Sequence, residues 1–376
     1  MALGDAGARP RCARAGPFTF QYGGRLDGLE ISYETWGSRE HADANTVLLV
    51  HPMTTDCHVT GLAFEQAMGW WEEMVGPGRP VDTERAFVVC PNLLGGCYGT
   101  TGPRAPGPDG EPWLGRFPLT TPRDMMRGMK RLLHAIGIQR VARVVGPSMG
   151  GMIAWEWATD DGGAGERAHP ADAIEAREVV VVAAPPAASA LEIGLNYVQR
   201  EGLALDDAMD AARGDGARPS RKGYGVARAA GMLSYRAPVG LAEKFGREWF
   251  SPPGRTLDEP GVFNVESWLK HHGKRLAKRF DPWTYRVYSR AMDLHDVAVG
   301  REGESPWAAR GNARVLAVGI RSDCLYPAPE VRAGVDALRD AGRDATYAEI
   351  DSENGHDAFL LDTDPLGRIL GDWVRD

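Results

Sequence analysis

The stretch VVGPSMGGM at residues 144–152 sets a serine between glycines where an apolar, β-branched run meets a second apolar run, Met152, Ile153, Ala154 and Trp155. One reading is structural: glycine lets a strand turn into a helix and Ser148 caps it. The other is chemical: a sharp turn lifts the hydroxyl of Ser148 above a sheet as a nucleophile. With 47 glycines in 376 residues the pattern arises too readily by chance to decide alone. A serine is inert unless a base takes its proton and a third group orients that base. Two later strand-like runs end in such groups. Residues 315–320 lead into Arg321, Ser322 and Asp323, and residues 347–350 lead into Asp351, Ser352, Glu353, Asn354, Gly355 and His356. Taken singly, Asp323 reads as a turn aspartate bonded to local backbone and His356 as a loop histidine. Taken together, in the order serine, acid, histidine, they read as a nucleophile Ser148, an orienting Asp323 and a base His356.

Acyl chemistry on such a serine also needs donors for an oxyanion. The N–H of Met149, directly after the nucleophile, is one candidate. The other lies where residues 47–50 run into His51, Pro52, Met53 and Thr54. Met53 is chosen because Pro52 has no N–H. A helix starting after Ser148 would aim its positive end at the same place.

These groups must be carried by strands. Short apolar runs at 29–35, 46–50, 86–90, 141–145, 179–183, 315–320 and 347–350 have the character of strands buried on both faces. Helical spacing intervenes, as in 123–136, where Met125, Met126, Met129, Leu132, Leu133 and Ile136 recur on one face. The alternation implies an α/β protein with a mostly parallel, doubly wound sheet, whose ligand sites gather at the carboxyl ends of the strands. After Pro185 and Pro186 the pattern changes. Residues 187–299 read as a helical insertion, with core segments at 1–186 and 300–376 on either side and a loose leader at 1–16. The stretches 99–118 and 214–225 read as loops.

Composition narrows the function classes. A net charge of −8 argues against a nucleic-acid surface. The N-terminal segment has arginines but no apolar run behind them, and is read as neither signal peptide nor membrane span. Five cysteines at irregular spacing suit reduced thiols in a cytoplasmic protein better than a disulfide framework. No set of Cys or His has metal-ligand spacing, so no metal is expected. The basic run 270–279 reads first as a solvated helix face and second as a contact for phosphates. Trp70, Trp71, Trp155 and Trp157 read as packing.

Six segments together are far more specific than the serine motif: residues 51–59, 92–103, 150–158, 280–296, 322–327 and 355–360. On these the chain resembles the homoserine O-acetyltransferase family of the α/β-hydrolase fold, from about residue 26 to the C-terminus. The resemblance implies a ping-pong transfer in which Ser148 takes an acetyl group from acetyl-CoA and passes it to an amino-acid hydroxyl, that of L-homoserine first. L-serine or a specialised-metabolite alcohol as acceptor and succinyl-CoA as donor are the related options. A serine esterase that uses water is the alternative of another class, and a non-catalytic scaffold is the third. The resemblance further implies acyl-CoA as co-substrate with no bound cofactor, small-molecule partners, a helical lid over the serine, and a homodimer through the lid helices. The family's substrate-binding arginine, aspartate and lid tyrosine correspond to Arg200, Asp357 and, more loosely, Tyr224. Arg200 and Asp357 also suit structural ion pairs. Pro147, Pro52 and Thr55 depart from the family's small residues, which puts the acceptor rather than the triad in question.

Overall fold

The apolar runs become strands because their side chains alternate between two cores, one on each face of a single sheet. In the computed structural model, which describes residues 10–61, 68–160, 169–206, 221–301, 305–308 and 313–375, eight strands make up that sheet. They are β1 (Arg11–Arg14), β2 (Glu30–Trp36), β3 (Thr46–Leu49), β4 (Phe87–Pro91), β5 (Val141–Pro147), β6 (Ala176–Val182), β7 (Arg314–Ile320) and β8 (Ala345–Ile350). Their order is β1-β2-β4-β3-β5-β6-β7-β8; the last six are parallel, and β1 and β2 are antiparallel at one edge. Leu48, Val144, Val179, Val181, Val315 and Ala317 face one core. Val47, Leu49, Val145, Val180, Val182, Leu316 and Val318 face the other.

The first core is covered by α1 (Pro122–Ala135), α2 (Met149–Ala158) and α8 (Ala328–Asp340). α1 starts cleanly because Thr121 and Asp124 cap each other's backbone N–H and Pro122 sits where no N–H is needed. The second core is closed by α9 (Ala358–Leu361), α10 (Thr363–Arg375) and the segment around Trp71 and Val75. Trp71 and Trp155 are fully buried and each donates its indole N–H to a backbone carbonyl, Phe359 O and Ala184 O.

Between β6 and β7 the chain builds a helical layer: α3 (Ala190–Ala204), α4 (Lys222–Ser234), α5 (Pro238–Phe245), α6 (Asn264–Arg279) and α7 (Pro282–Asp293). Both ends of the excursion are stitched at one point. Ala188 N donates to His295 O at 2.8 Å and Val297 N to Pro186 O at 3.1 Å. The basic run of α6 keeps Lys270, Lys274, Arg275 and Lys278 exposed while Leu276 and Ala277 face inward.

Two expectations are corrected. The supposed leader 1–16 is not loose throughout, because Arg11–Arg14 pairs antiparallel with β2, from Arg11 opposite Tyr33 to Arg14 opposite Glu30. An open sheet edge offers a row of backbone groups that any extended segment can satisfy, so pairing there leaves no apolar signature. Residues 1–9 lie outside the described residues. The supposed loop 214–225 becomes α4 from Lys222, and residues 214–220 lie outside the described residues. Gly223 is there for packing: a Cβ on it would stand 1.9 Å from Gly202 O, so α3 and α4 touch backbone to backbone.

The same kind of close approach sets the position of α2. A Cβ on Gly150 would meet Val50 O at 2.1 Å, and one on Gly146 would meet Gly150 O at 2.0 Å. Gly150→Ala is therefore expected to destabilise the fold by about 3 kcal/mol, the upper end of the cost of overfilling a packed interior. Urea unfolding of the variant against the parent protein checks it.

Candidate active site

Each of the three sequence-predicted catalytic residues stands just past the carboxyl end of a parallel strand: Ser148 after β5, Asp323 after β7, His356 after β8. Although 208 residues separate Ser148 from His356 in the chain, Ser148 Oγ lies 2.8 Å from His356 Nε2. His356 Nδ1 lies 2.7 Å from Asp323 Oδ2. All three are buried. With its Nδ1–H donated to the carboxylate, the ring presents the lone pair of Nε2 to the serine hydroxyl. The other oxygen of Asp323, Oδ1, accepts the N–H groups of Leu325 and Tyr326 at 2.8 and 2.9 Å, which leaves the carboxylate little freedom to rotate.

Ser148 is held at φ 57 and ψ −125, a conformation that side-chain-bearing residues rarely adopt. Its N–H donates to Val182 O and its carbonyl accepts from Gly151 and Met152, so neighbouring β6 and α2 jointly impose the turn. Such strain costs on the order of 1–3 kcal/mol and persists only where surroundings overdetermine it.

Met53 and Met149 are both buried, and neither backbone N–H has an acceptor among the described residues. The loop that carries Met53 is fixed by a buried histidine that sequence reasoning overlooked. His51 Nε2 accepts the N–H of Leu93 at 3.2 Å, so the proton sits on Nδ1, which donates to Pro52 O at 2.8 Å. Burial pushes the His51 imidazole below its usual range, which keeps it in this neutral form. Thr55, one of the departures from the family pattern, donates its hydroxyl to the same Pro52 carbonyl at 2.9 Å and so braces the loop.

The three expected substrate contacts fare differently. Arg200 is turned into a buried ion pair, with Nη2 2.6 Å from Asp293 Oδ2 and Nη1 donating to Ser289 Oγ at 2.7 Å. Tyr224 is fully buried and donates its hydroxyl to Phe280 O at 2.9 Å. Asp357 stands next to His356, its Oδ2 3.0 Å from Arg236 Nε in a contact too bent for a hydrogen bond. Burial raises the Asp357 carboxyl above the usual carboxylate range, with Arg236 opposing.

What sequence reasoning missed is carried by α4 and its end. Arg228 has no carboxylate within ion-pair distance among the described residues, and its Nε is buried without a partner. Its guanidinium lies 5.5 Å from the centre of the Tyr235 ring, and Nη1 reaches Thr54 Oγ1 at 3.4 Å. Tyr235 in turn lies 5.9 Å from the His356 ring. A cation and a tyrosine seven residues apart, two helical turns on one face, was the available signal. The following residues clamp the base loop. Asp357 N donates to Tyr235 O at 3.1 Å, and a Cβ on Gly355, at φ 66, would stand 2.5 Å from Ala237 N.

Residues 45–168 match the family model described as the alpha/beta hydrolase fold. The chain is 40% identical to a homoserine O-acetyltransferase of Clavibacter michiganensis subsp. michiganensis, across 98% of this chain and 92% of that one. The chain belongs to the homoserine O-acetyltransferase family. A homoserine O-acetyltransferase of Moorella thermoacetica is 37% identical across 94% of this chain and 92% of its own length. Among solved structures, a homoserine O-acetyltransferase from Bacillus anthracis superposes with a TM-score of 0.85 at 23% identity, covering 98% of both chains. Esterase E22 superposes at 0.83 and 21% identity, covering 97% of this chain and 99% of its own. Those two likenesses speak for the fold.

The strain at Ser148 can be measured apart from its chemistry. Ser148→Ala and Ser148→Gly both lack the hydroxyl, but only alanine keeps a Cβ at positive φ. The glycine variant is expected to unfold at higher denaturant than the alanine variant, by about 1 kcal/mol after the added freedom of glycine in the unfolded chain is subtracted.

Proposed function

We propose that this protein is an acyl-CoA-dependent O-acetyltransferase that carries an acetyl group on Ser148 and delivers it to the hydroxyl of L-homoserine. Ser148 Oγ attacks the thioester carbonyl while His356 Nε2 takes its proton, and Asp323 steadies the imidazolium that results. The tetrahedral oxyanion is received by the N–H groups of Met53 and Met149 and by the N-terminus of α2. Collapse breaks the carbon–sulfur bond, and the thiolate leaves with the proton from His356. In the second half the acceptor hydroxyl gives its proton to Nε2 and attacks the seryl ester. Ser148 then recovers its proton as the product ester departs. The layer formed by helices α3 to α7 serves as a lid that keeps water from the acyl-enzyme.

The observation that carries this reading is Arg228, one tyrosine ring away from the base and without a carboxylate partner among the described residues, with Asp357 next to the base. A hydrolase that uses water has no need of a half-buried cation without a carboxylate partner, whereas a zwitterionic acceptor brings the missing carboxylate. Its ammonium group suits Asp357, whose carboxyl gains most from an arriving positive charge because burial has pushed it up. The carboxylate-binding role expected of Arg200 thus passes to Arg228, and that of the lid tyrosine passes from Tyr224 to Tyr235. We also propose a homodimer through the lid. Leu191, Tyr197 and Val198 on α3 and Val226 and Leu233 on α4 are exposed apolar residues on two helices that pack together.

The reading is tested by mixing the protein with acetyl-CoA or succinyl-CoA, recording the adduct by mass, and following CoA release with homoserine, serine and other amino alcohols. An acetyl adduct on Ser148 and turnover that accelerates with homoserine are expected. Rapid release into water that no amino alcohol alters would instead make the protein an esterase. The two arginines separate in a second experiment. Arg228→Ala is expected to raise the KM for homoserine by about 10- to 100-fold, the cost of a lost charged hydrogen bond, with acetyl loading unchanged. Arg200→Ala is expected to cost about 2 kcal/mol of stability, because buried Asp293 loses its closest partner and keeps only Arg290 and Asn196 among the described residues.

A further inference from the structure

Behind the imidazole lies a buried acid that neither the triad nor the proposed acceptor contacts employ. Glu192, in the first turn of α3, is fully buried. One of its oxygens, Oε1, lies 2.9 Å from the hydroxyl of Tyr326, and the other, Oε2, has no partner among the described residues. No cation lies within ion-pair distance of it among the described residues. Arg200, two turns along α3, and Arg290 on α7 pair with Asp293 instead. Burial pushes the carboxyl up to about 8, and Asp293 and Glu330 push the same way.

Tyr326 is the more telling partner because it touches the triad twice. Its ring packs edge-on to the His356 ring, centre to centre 4.9 Å at 80°, and its N–H is one of the two donors to Asp323 Oδ1. The hydroxyl approaches Met292 Sδ at 3.9 Å on its other side. A phenylalanine would fill this space without a polar atom to desolvate, so hydroxyl and carboxyl contribute direction rather than burial.

We propose that Glu192 and Tyr326 are a pair of positioning residues, whose hydrogen bond fixes the aromatic wall of His356 and ties the imidazole to the lid helix α3. The proposal rests on His356 acting as the base. Tyr326 donates to Oε1 and so favours the ionised acid, whereas burial, Asp293 on α7 and Glu330 on α8 favour the neutral one, and an acceptor oxygen for the tyrosine hydroxyl is present in either form.

The test uses the burst of nitrophenol from nitrophenyl acetate, which reports loading of Ser148 whatever the acceptor, together with kcat and KM for acetyl transfer at pH 7. Glu192→Gln keeps an oxygen that accepts from the tyrosine hydroxyl; it is expected to keep the burst and kcat within about twofold of the parent protein. Glu192→Leu and Tyr326→Phe are each expected to slow the burst and kcat by about tenfold, as small misplacements of a catalytic group do, with KM within about twofold. The double variant should be no slower than either alone, because both break one bond. A Tyr326→Phe burst as fast as that of the parent protein overturns the proposal, as does a Glu192→Gln burst as slow as that of Glu192→Leu. Absence of any burst in the parent protein would overturn the role of His356 itself, a different failure.

Discussion

A hydroxyl, an imidazole and a carboxylate in line, at 2.8 and 2.7 Å, work as a proton path only while three separate loops keep register to a few tenths of an ångström. The parallel sheet supplies the coarse placement, since β5, β7 and β8 all end on one side. The fine placement comes from backbone groups that each loop cannot satisfy alone. Gly355 N donates to Ser322 Oγ at 3.0 Å, so the base loop and the acid loop are bonded to each other as well as to His356. Ser148, at positive φ, is held from beneath by Val182 O. Hydrogen bonds spent on one geometry in a buried site leave no alternative of similar energy, which is how the strain at Ser148 persists.

The helical layer does more than cover this path. Tyr235 O, Ala237 and Arg236 close on Gly355 and Asp357, while Tyr326 reaches into α3 to meet Glu192. Lid and triad thus share contacts, and displacement of α3 or α4 would be felt at the imidazole. The same layer sorts the arginines. Arg200 meets Asp293 and Ser289 on α7 and becomes structural, whereas Arg228, among the described residues, meets a tyrosine ring and a threonine hydroxyl but no carboxylate.

Much of the fold was legible in the residues because burial on two faces demands unbroken apolar runs: all seven runs read as strands lie in the sheet, and α1 spans the residues whose spacing announced it. Arg11–Arg14 was not legible, since edge pairing is made by backbone groups common to every sequence. Gly223 misled for a related reason: a glycine that admits a neighbouring helix looks in the sequence like one that opens a loop. At the site, Ser148, Asp323 and His356 could be named because residue type, chain order and strand ends all agreed.

The chain alone determined which groups are able to react and which face of each strand is buried, because side-chain chemistry and a period of two are local properties. Tertiary structure decided which charges cancel. Whether Arg200 or Arg228 keeps a free guanidinium, whether Glu192 holds its proton, and which N–H groups lack an acceptor depend on the distance between residues far apart in sequence and on the exclusion of water around them. Those quantities appear only once the helices have packed over the sheet.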